Sequence, residues 1–274
     1  MADYSAQKID FDFEVDGDIT KSIWAESTWS SPFVDMASGE KAEFETKTAI
    51  RWSEAKLYVA FWAEEPDVRA EITQRDSLIF LENDLELFID GGDCYYELEF
   101  NALNTMYEVF FIWRDSFPNP AKFPPESFDI SRNDTFTFGG DYDRTRASFW
   151  LGTHPRGTRW AFRRFDMPGL ETAVRIDGTL NDPSSVDRGW SAEVAIPWES
   201  LKPLANGRSL PPTYGDIWKF FLGRFQKKIV AGVEVSPHPA SSLRSHGVYD
   251  THLPEEWAEI QFKACVGLVF FYFT

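Results

Sequence analysis

Short runs in which apolar and polar residues alternate dominate the chain, and alternation of period two is the signature of half-buried strands. The first two cover residues 44–52 (FETKTAIRW) and 56–63 (KLYVAFWA); in the second, Leu57, Val59 and Phe61 share one face and Tyr58, Ala60 and Trp62 the other. Residues 84–90 (DLELFID) place Leu85, Leu87 and Ile89 inward and Asp84, Glu86, Phe88 and Asp90 on the opposite face, and 95–100 (YYELEF) repeats the pattern. Gly91-Gly92-Asp93 between them is a hairpin turn sequence, which predicts antiparallel pairing and two acidic faces side by side. Further strands are predicted over 105–113, 171–176, 189–197, 217–225 and 257–262. Helical periodicity is nearly absent: 198–201 after Pro197 and 19–24 supply single turns, short of the roughly 8–20 residues of a globular helix. Many short strands with turn residues between them predict an all-β fold, an antiparallel sandwich or a barrel.

Residues 114–170 interrupt this rhythm with Pro118, Pro120, Pro124 and Pro125, a Gly139-Gly140 pair, and aromatics mixed with arginine, among them Trp150, Arg159, Trp160, Arg163 and Phe165. They read as one long insertion, with a hairpin or two of its own, inside a single domain over 1–263. The last segment, 264–274, is an apolar tail; its run CVGLVFFYFT falls well short of the ~20 residues a spanning helix needs, so no membrane span is expected. Lys plus Arg number 27 against 44 Asp plus Glu, a net charge of −17 that repels nucleic acid and anionic membrane. The insertion stands apart, with nine basic and seven acidic residues. Aromatics make up 16% of the chain, and these residues favour strands and form flat stacking surfaces. Two cysteines, Cys94 and Cys265, are too few for a disulfide framework, and the N-terminus carries no signal-peptide pattern, so composition leaves the compartment open.

Nucleophile elbows, phosphate-cradling loops and dinucleotide fingerprints are missing, and His154, His238, His246 and His252 lack zinc-ligand spacing. Carboxylates are plentiful. Glu86 with Glu97 or Glu99 on the neighbouring strand is within reach of the ~5–9 Å separation that glycoside hydrolysis uses, and the same residues suit a solvated face, calcium or ligand hydrogen bonding. Asp177, Asn181, Asp182 and Asp187 cluster in one loop, and Asp84, Asp90 and Asp93 near another; each group offers hard oxygens for calcium, and neither follows the EF-hand pattern. Aromatics at loop ends suit the apolar face of a pyranose ring, with Phe80, Trp113, Trp150, Trp160 and Tyr249 the candidates.

Several runs, taken in order, are similar to something known. Val15-Asp16-Gly17-Asp18 with Trp24, Leu57-Tyr58-Val59-Ala60, Asn83 through Asp90, Tyr96 through Asn104, Asp177 through Asn181, Gly189-Trp190 through Trp198, and Pro254-Glu255-Glu256-Trp257 with Gln261-Phe262 resemble the family 9 carbohydrate-binding modules of the DOMON-like superfamily. The resemblance covers 9–113 and 171–263 and leaves out the insertion. It implies an immunoglobulin-like, jelly-roll-like antiparallel β-sandwich that binds polysaccharide without catalysis, holds structural calcium, works in association with glycoside hydrolases, and is secreted. The first of the family's two sugar-stacking tryptophans corresponds to Phe80, and the second falls near Tyr249 to His252. The family's glutamate carries over to Glu86 and its asparagine to Asn101, whereas Glu99 stands where the family has arginine, which reverses the hydrogen-bond polarity. Expected ligand-binding residues are thus Phe80, Glu86, Glu99, Asn101, Trp113 and Tyr249, and expected calcium ligands Asp84, Asp90, Asp93, Asp177, Asp182 and Asp187. A second reading from the same superfamily is a haem b sandwich, with Met106 or Met167 as an axial ligand beside histidine.

Overall fold

The computed structural model describes residues 2–139 and 154–264, so Trp150, Cys265 and all but the first residue of the apolar tail lie outside the described residues. Strands β1 (Tyr4–Lys8) and β2 (Val34–Asp35) precede β3 (Thr46–Trp52) and β4 (Lys56–Glu64). The hairpin β5 (Asp84–Asp90) and β6 (Cys94–Phe100) follows, then β7 (Met106–Trp113) and, within the insertion, β8 (Thr135–Phe138) and β9 (Arg159–Phe162). After them come β10 (Glu171–Asp177), β11 (Gly189–Pro197), β12 (Ile217–Phe225), the small pair β13 (Ile229–Val230) and β14 (Val233–Glu234), β15 (Ala240–Ser242) and β16 (Ala258–Lys263). Helix is confined to Ser22–Ala25 and Lys202–Ala205, with 3-10 turns at Ile79–Leu81 and Trp198–Leu201, and no helix of the described residues is long and apolar enough to cross a membrane.

Hydrogen bonding joins most strands in one path, β10-β11-β4-β3-β1-β16-β12-β5-β6-β7-β9-β8. Phe61 on β4 and Phe100 on β6 would sit roughly 29 Å apart were that path flat, at the usual strand spacing. Their ring centroids are 6.0 Å apart, and Phe100 also meets Trp190 of β11 at 6.3 Å. The sheet therefore folds over on itself into a two-layer β-sandwich, with Leu57, Val59 and Phe61 of one layer and Leu85, Leu87 and Ile89 of the other in a shared core. β1 is the seam. It pairs in parallel with β16 and with β3, Gln7 lying opposite both Lys263 and Arg51, whereas the other ladders are antiparallel. Parallel pairing at β1 is the one departure, among the described residues, from the antiparallel sandwich expected from the sequence.

Both outer faces are covered. Over β3, β4 and β11, the outward residues Ala49, Tyr58, Ala60 and Ala195 receive Ile9 and Trp24 from the N-terminal segment. Glu193 of β11, 1% exposed, fastens that segment by accepting hydrogen bonds from Trp24 Nε1 at 2.5 Å and from the Asp16 and Gly17 amides at 2.8 Å each. Gly17 has φ +81°, and a Cβ there would meet the Val174 carbonyl carbon at 2.7 Å, so the close approach of the two backbones requires glycine. Over β12, β5, β6 and β7, Phe88, Tyr95, Phe111 and Phe221 pack beneath Trp257 and Ala240. β9 extends this layer by pairing with β7, and β8 pairs with β9, so the described part of the insertion is built onto the sheet edge. The cover leaves an opening over β5 and β6.

Candidate functional site

The register of the hairpin builds the floor of that opening. Glu86 lies opposite Glu99, and Phe88 opposite Glu97, so strand alternation brings Asp84, Glu86, Glu97 and Glu99 to one face. The expectation of two adjacent acidic faces holds, but loops and the insertion close over them, and the four carboxylates are 0%, 2%, 3% and 3% exposed. Burial is the main force raising the protonation range of each. Glu97 is pushed up to about 8, with Arg159 pulling the other way. Glu86 is raised further by its neighbours Asp84 and Glu97, and Glu99 by Glu86 and Glu97, offset only by the Phe80 amide, which donates to Glu99 Oε2 at 3.1 Å.

Above this floor is a cleft of about 340 Å³. Phe80, 39% exposed on the Ile79–Leu81 turn, packs edge-on against Tyr107 of β7 at 6.3 Å. Tyr249 packs edge-on against Phe225 of β12 at 5.7 Å and donates its hydroxyl to the His238 carbonyl at 2.7 Å. Two strands, β5 and β6, separate β12 from β7, so the aromatic walls flank the carboxylates. The insertion adds Phe136, Phe138 and Arg163 to the lining, and His252 contributes from the loop before β16, its Nδ1 3.0 Å from the Tyr95 hydroxyl and its ring 4.5 Å from that of Phe138. A roomier cleft, about 730 Å³, lies beyond Leu81 between Glu43 and Lys228, and ion-paired surface groups such as Asp67–Arg69 and Lys228–Glu43 border it. Phe44 is the one aromatic among its lining residues, so it lacks the facing aromatic walls over buried polar groups that mark a ligand site.

Of the expected ligand-binding residues, the structure gathers Phe80, Glu86, Glu99 and Tyr249 in the smaller cleft. Asn101 is a correction. Its side-chain nitrogen donates to the Ile72 carbonyl at 2.8 Å and to Glu82, and its oxygen accepts from the Leu103 and Thr105 amides at 3.0 Å, so it knots the β6–β7 turn. Trp113 is a second correction, because it is 2% exposed with Arg156 and Arg159 over its ring and His154 against it. Trp160 packs partly buried against the inner core. Tyr107, Phe136 and Phe138 are not among the expected stacking residues, although the strand alternation of 105–113 marks the face of Tyr107; His252 lies in the stretch where the resemblance puts the second stacking position, and Arg163 in the arginine- and aromatic-rich insertion.

The expected calcium groups do not assemble as proposed. Asp84 and Asp90 end the same strand roughly 20 Å apart, Asp90 accepts from the Gly92 amide at 2.7 Å, and Asp93 pairs with Lys122. In the other loop, Asp187 accepts from the Val68 and Thr179 amides at 2.9 and 2.7 Å, Asp182 from Ser184, and Asp177 pairs with Arg188 at 2.9 Å. Those oxygens tie the loop together and leave a poor fit to calcium. Asp84, Glu86 and Glu99 do converge, each offering one oxygen within 4.8 Å of the others. The methionine–histidine pair of a haem site is likewise not brought together among the described residues. Met106 meets Thr172 and Arg75, Met167 is packed in the inner core, and His246 and His252 contact rings of the outer face.

No family profile matches the chain, and no curated protein does. Among solved structures, a proposed carbohydrate-binding protein of Bacteroides uniformis is 13% identical over 94% of this chain and 98% of its own, with a TM-score of 0.58. A family 9 carbohydrate-binding module of Caldicellulosiruptor kristjanssonii in complex with cellotriose is 13% identical, with a TM-score of 0.51 over 99% of this chain and 98% of the module. A structure of such a module from the same organism with glucose gives 14% identity and a TM-score of 0.50 over 95% and 96%. The fold of this chain is the β-sandwich of the family 9 carbohydrate-binding modules.

Proposed function

We propose that the cleft over β5 and β6 binds the end or a segment of a poly- or oligosaccharide without cleaving it. The observation that carries this reading is the pairing of Phe80 and Tyr249, as aromatic walls, with Glu86 and Glu99 as a hydrogen-bonding floor, in a volume within the ~300–1,000 Å³ of small-molecule sites. Aromatic faces take the C–H face of a pyranose, and carboxylates accept its hydroxyl protons. The shared fold supports the reading, since two of the similar structures hold glucose and cellotriose. The reading takes Glu86 and Glu99, side by side on adjacent strands beneath the cleft, as hydroxyl acceptors rather than as an acid and nucleophile flanking a scissile bond. Secretion and service beside a glycoside hydrolase belong to the same proposal. A glycan array probed with the wild-type protein and with Phe80→Ala tests it. The expected result is a set of glycans bound by wild type and lost in the variant; a folded wild-type protein that binds none overturns the reading.

A further inference from the structure

We infer that Asp84, Glu86 and Glu99 hold a calcium ion at the floor of the cleft, and that this ion takes a pair of sugar hydroxyls as ligands. The inference rests on the carbohydrate-binding reading for its second half only. Its first support is the convergence of three carboxylate oxygens within 4.8 Å of one another, the span across an ion bound at about 2.4 Å by hard oxygens. Carboxylate-only sets suit calcium and its hard relatives rather than zinc or copper. The second support is independent of the clustering. Asp84 Oδ2 and Glu86 Oε2 are fully buried oxygens on side chains 0% and 2% exposed, and no hydrogen-bond donor reaches either one. A native interior rarely leaves such oxygens unsatisfied unless an ion or ligand completes them.

Of the neighbouring cations, Arg224 pairs with Glu65 at 3.1 Å and donates to the Glu64 carbonyl at 2.7 Å, and Arg163 donates to the Asp76 carbonyl at 3.0 Å and lies over Tyr107, while Arg159, buried over the rings of Trp113 and Phe138 at 4.7 and 4.9 Å, acts on Glu97. Calcium takes roughly six to eight oxygens, so three carboxylates leave positions open. Since Glu86 and Glu99 line the cleft, these positions face the space between Phe80 and Tyr249. A sugar stacked there replaces two waters with adjacent hydroxyls.

The test begins without sugar. Calcium chloride is titrated calorimetrically into chelator-stripped wild-type protein, Glu99→Gln and Asp84→Asn, with circular dichroism as the fold control. One calcium bound by wild type and at least tenfold weaker in both amide variants is expected. The melting temperature gives a second reading: calcium raises that of wild type and leaves those of the amide variants nearly unchanged. Wild-type protein that binds no calcium, or variants that bind it undiminished, overturns the site. A glycan from the array is then titrated with calcium and with chelator. Binding at least tenfold weaker in chelator supports the bridging role, and equal binding overturns that role while the carbohydrate reading stands. Calcium bound at this site with no glycan recognised supports the ion and contradicts the carbohydrate reading.

Discussion

Arg224 and Glu65 show how firmly single residues fix this molecule. Their charged groups are 3% and 1% exposed and 3.1 Å apart, and Glu65 also takes the Trp190 indole proton at 2.8 Å and a hydrogen bond from Asn83. Arg224→Leu leaves the buried Glu65 carboxyl without its cationic partner, a loss of about 3–5 kcal/mol. Urea unfolding measures it, and the double variant Arg224→Leu/Glu65→Leu recovers most of the loss, because the unpaired carboxyl is gone. His246 is a second case. Burial first, and Arg244 nearby, hold its pKa down to about 4, against the Asp250 carbonyl at 2.7 Å and the Glu255 carboxylate, which favour the proton. Above about 6.5 the ring is neutral folded or unfolded, and as pH falls toward 4 the unfolded chain takes the proton first, so about 3 kcal/mol of stability is lost across that window. An NMR titration of the ring is expected to show it neutral at pH 5. Neither pairing was legible in the sequence, since Arg224 and Glu65 read singly as one strand charge and one loop charge. Asn101 illustrates the same limit: its partners Ile72 and Glu82 lie far back in the chain, so the resemblance implied a sugar ligand where the fold uses it as a knot.

At the scale of elements, the alternation of apolar and polar residues located the β5–β6 hairpin to within a residue, because period two has one reading when Gly91-Gly92 closes it. The face of Glu86 and Glu99 followed from that alternation alone. Their burial did not, since the loops that cover them belong to segments with no periodicity. β1 escaped for a related reason, as did the bounds of β8 and β9 within an insertion expected to hold a hairpin or two: each is four or five residues long and gains its place by pairing with a partner distant in sequence. The N-terminal segment is held differently. Glu193 is its anchor, and Glu193→Ala removes the acceptor for Trp24 Nε1 and for the Asp16 and Gly17 amides at once. The expected cost is about 3–5 kcal/mol, because buried donors are left unpaired. Hydrogen exchange reads the locality of the effect: amides of residues 10–29 lose protection first, while those of β5 and β6 keep theirs until global unfolding.

The whole molecule is a sandwich whose two outer faces are both covered, one completely and one with an opening. That asymmetry places the cleft, and it explains why a chain with a net charge of −17 concentrates four carboxylates where water is excluded. The insertion is compositionally separate, with basic and aromatic residues, and in the described residues it supplies Phe136, Phe138 and Arg163 to the same cleft. Of the residues the resemblance singled out, Phe80, Glu86, Glu99 and Tyr249 line the cleft; the resemblance covered 9–113 and 171–263 and so was silent on the insertion. Two consecutive residues now separate the candidate clefts: Phe80 lines the carboxylate cleft, and Leu81, 52% exposed, lines the larger one beside it. The measurement to make is calorimetric titration of an array-positive oligosaccharide into wild type, Phe80→Ala and Leu81→Ala, in calcium. Affinity at least tenfold weaker in Phe80→Ala and unchanged within twofold in Leu81→Ala is predicted, since one stacking face contributes on the order of 1–2 kcal/mol. Unaltered binding in Phe80→Ala, or loss in Leu81→Ala alone, contradicts the carboxylate cleft as the carbohydrate site.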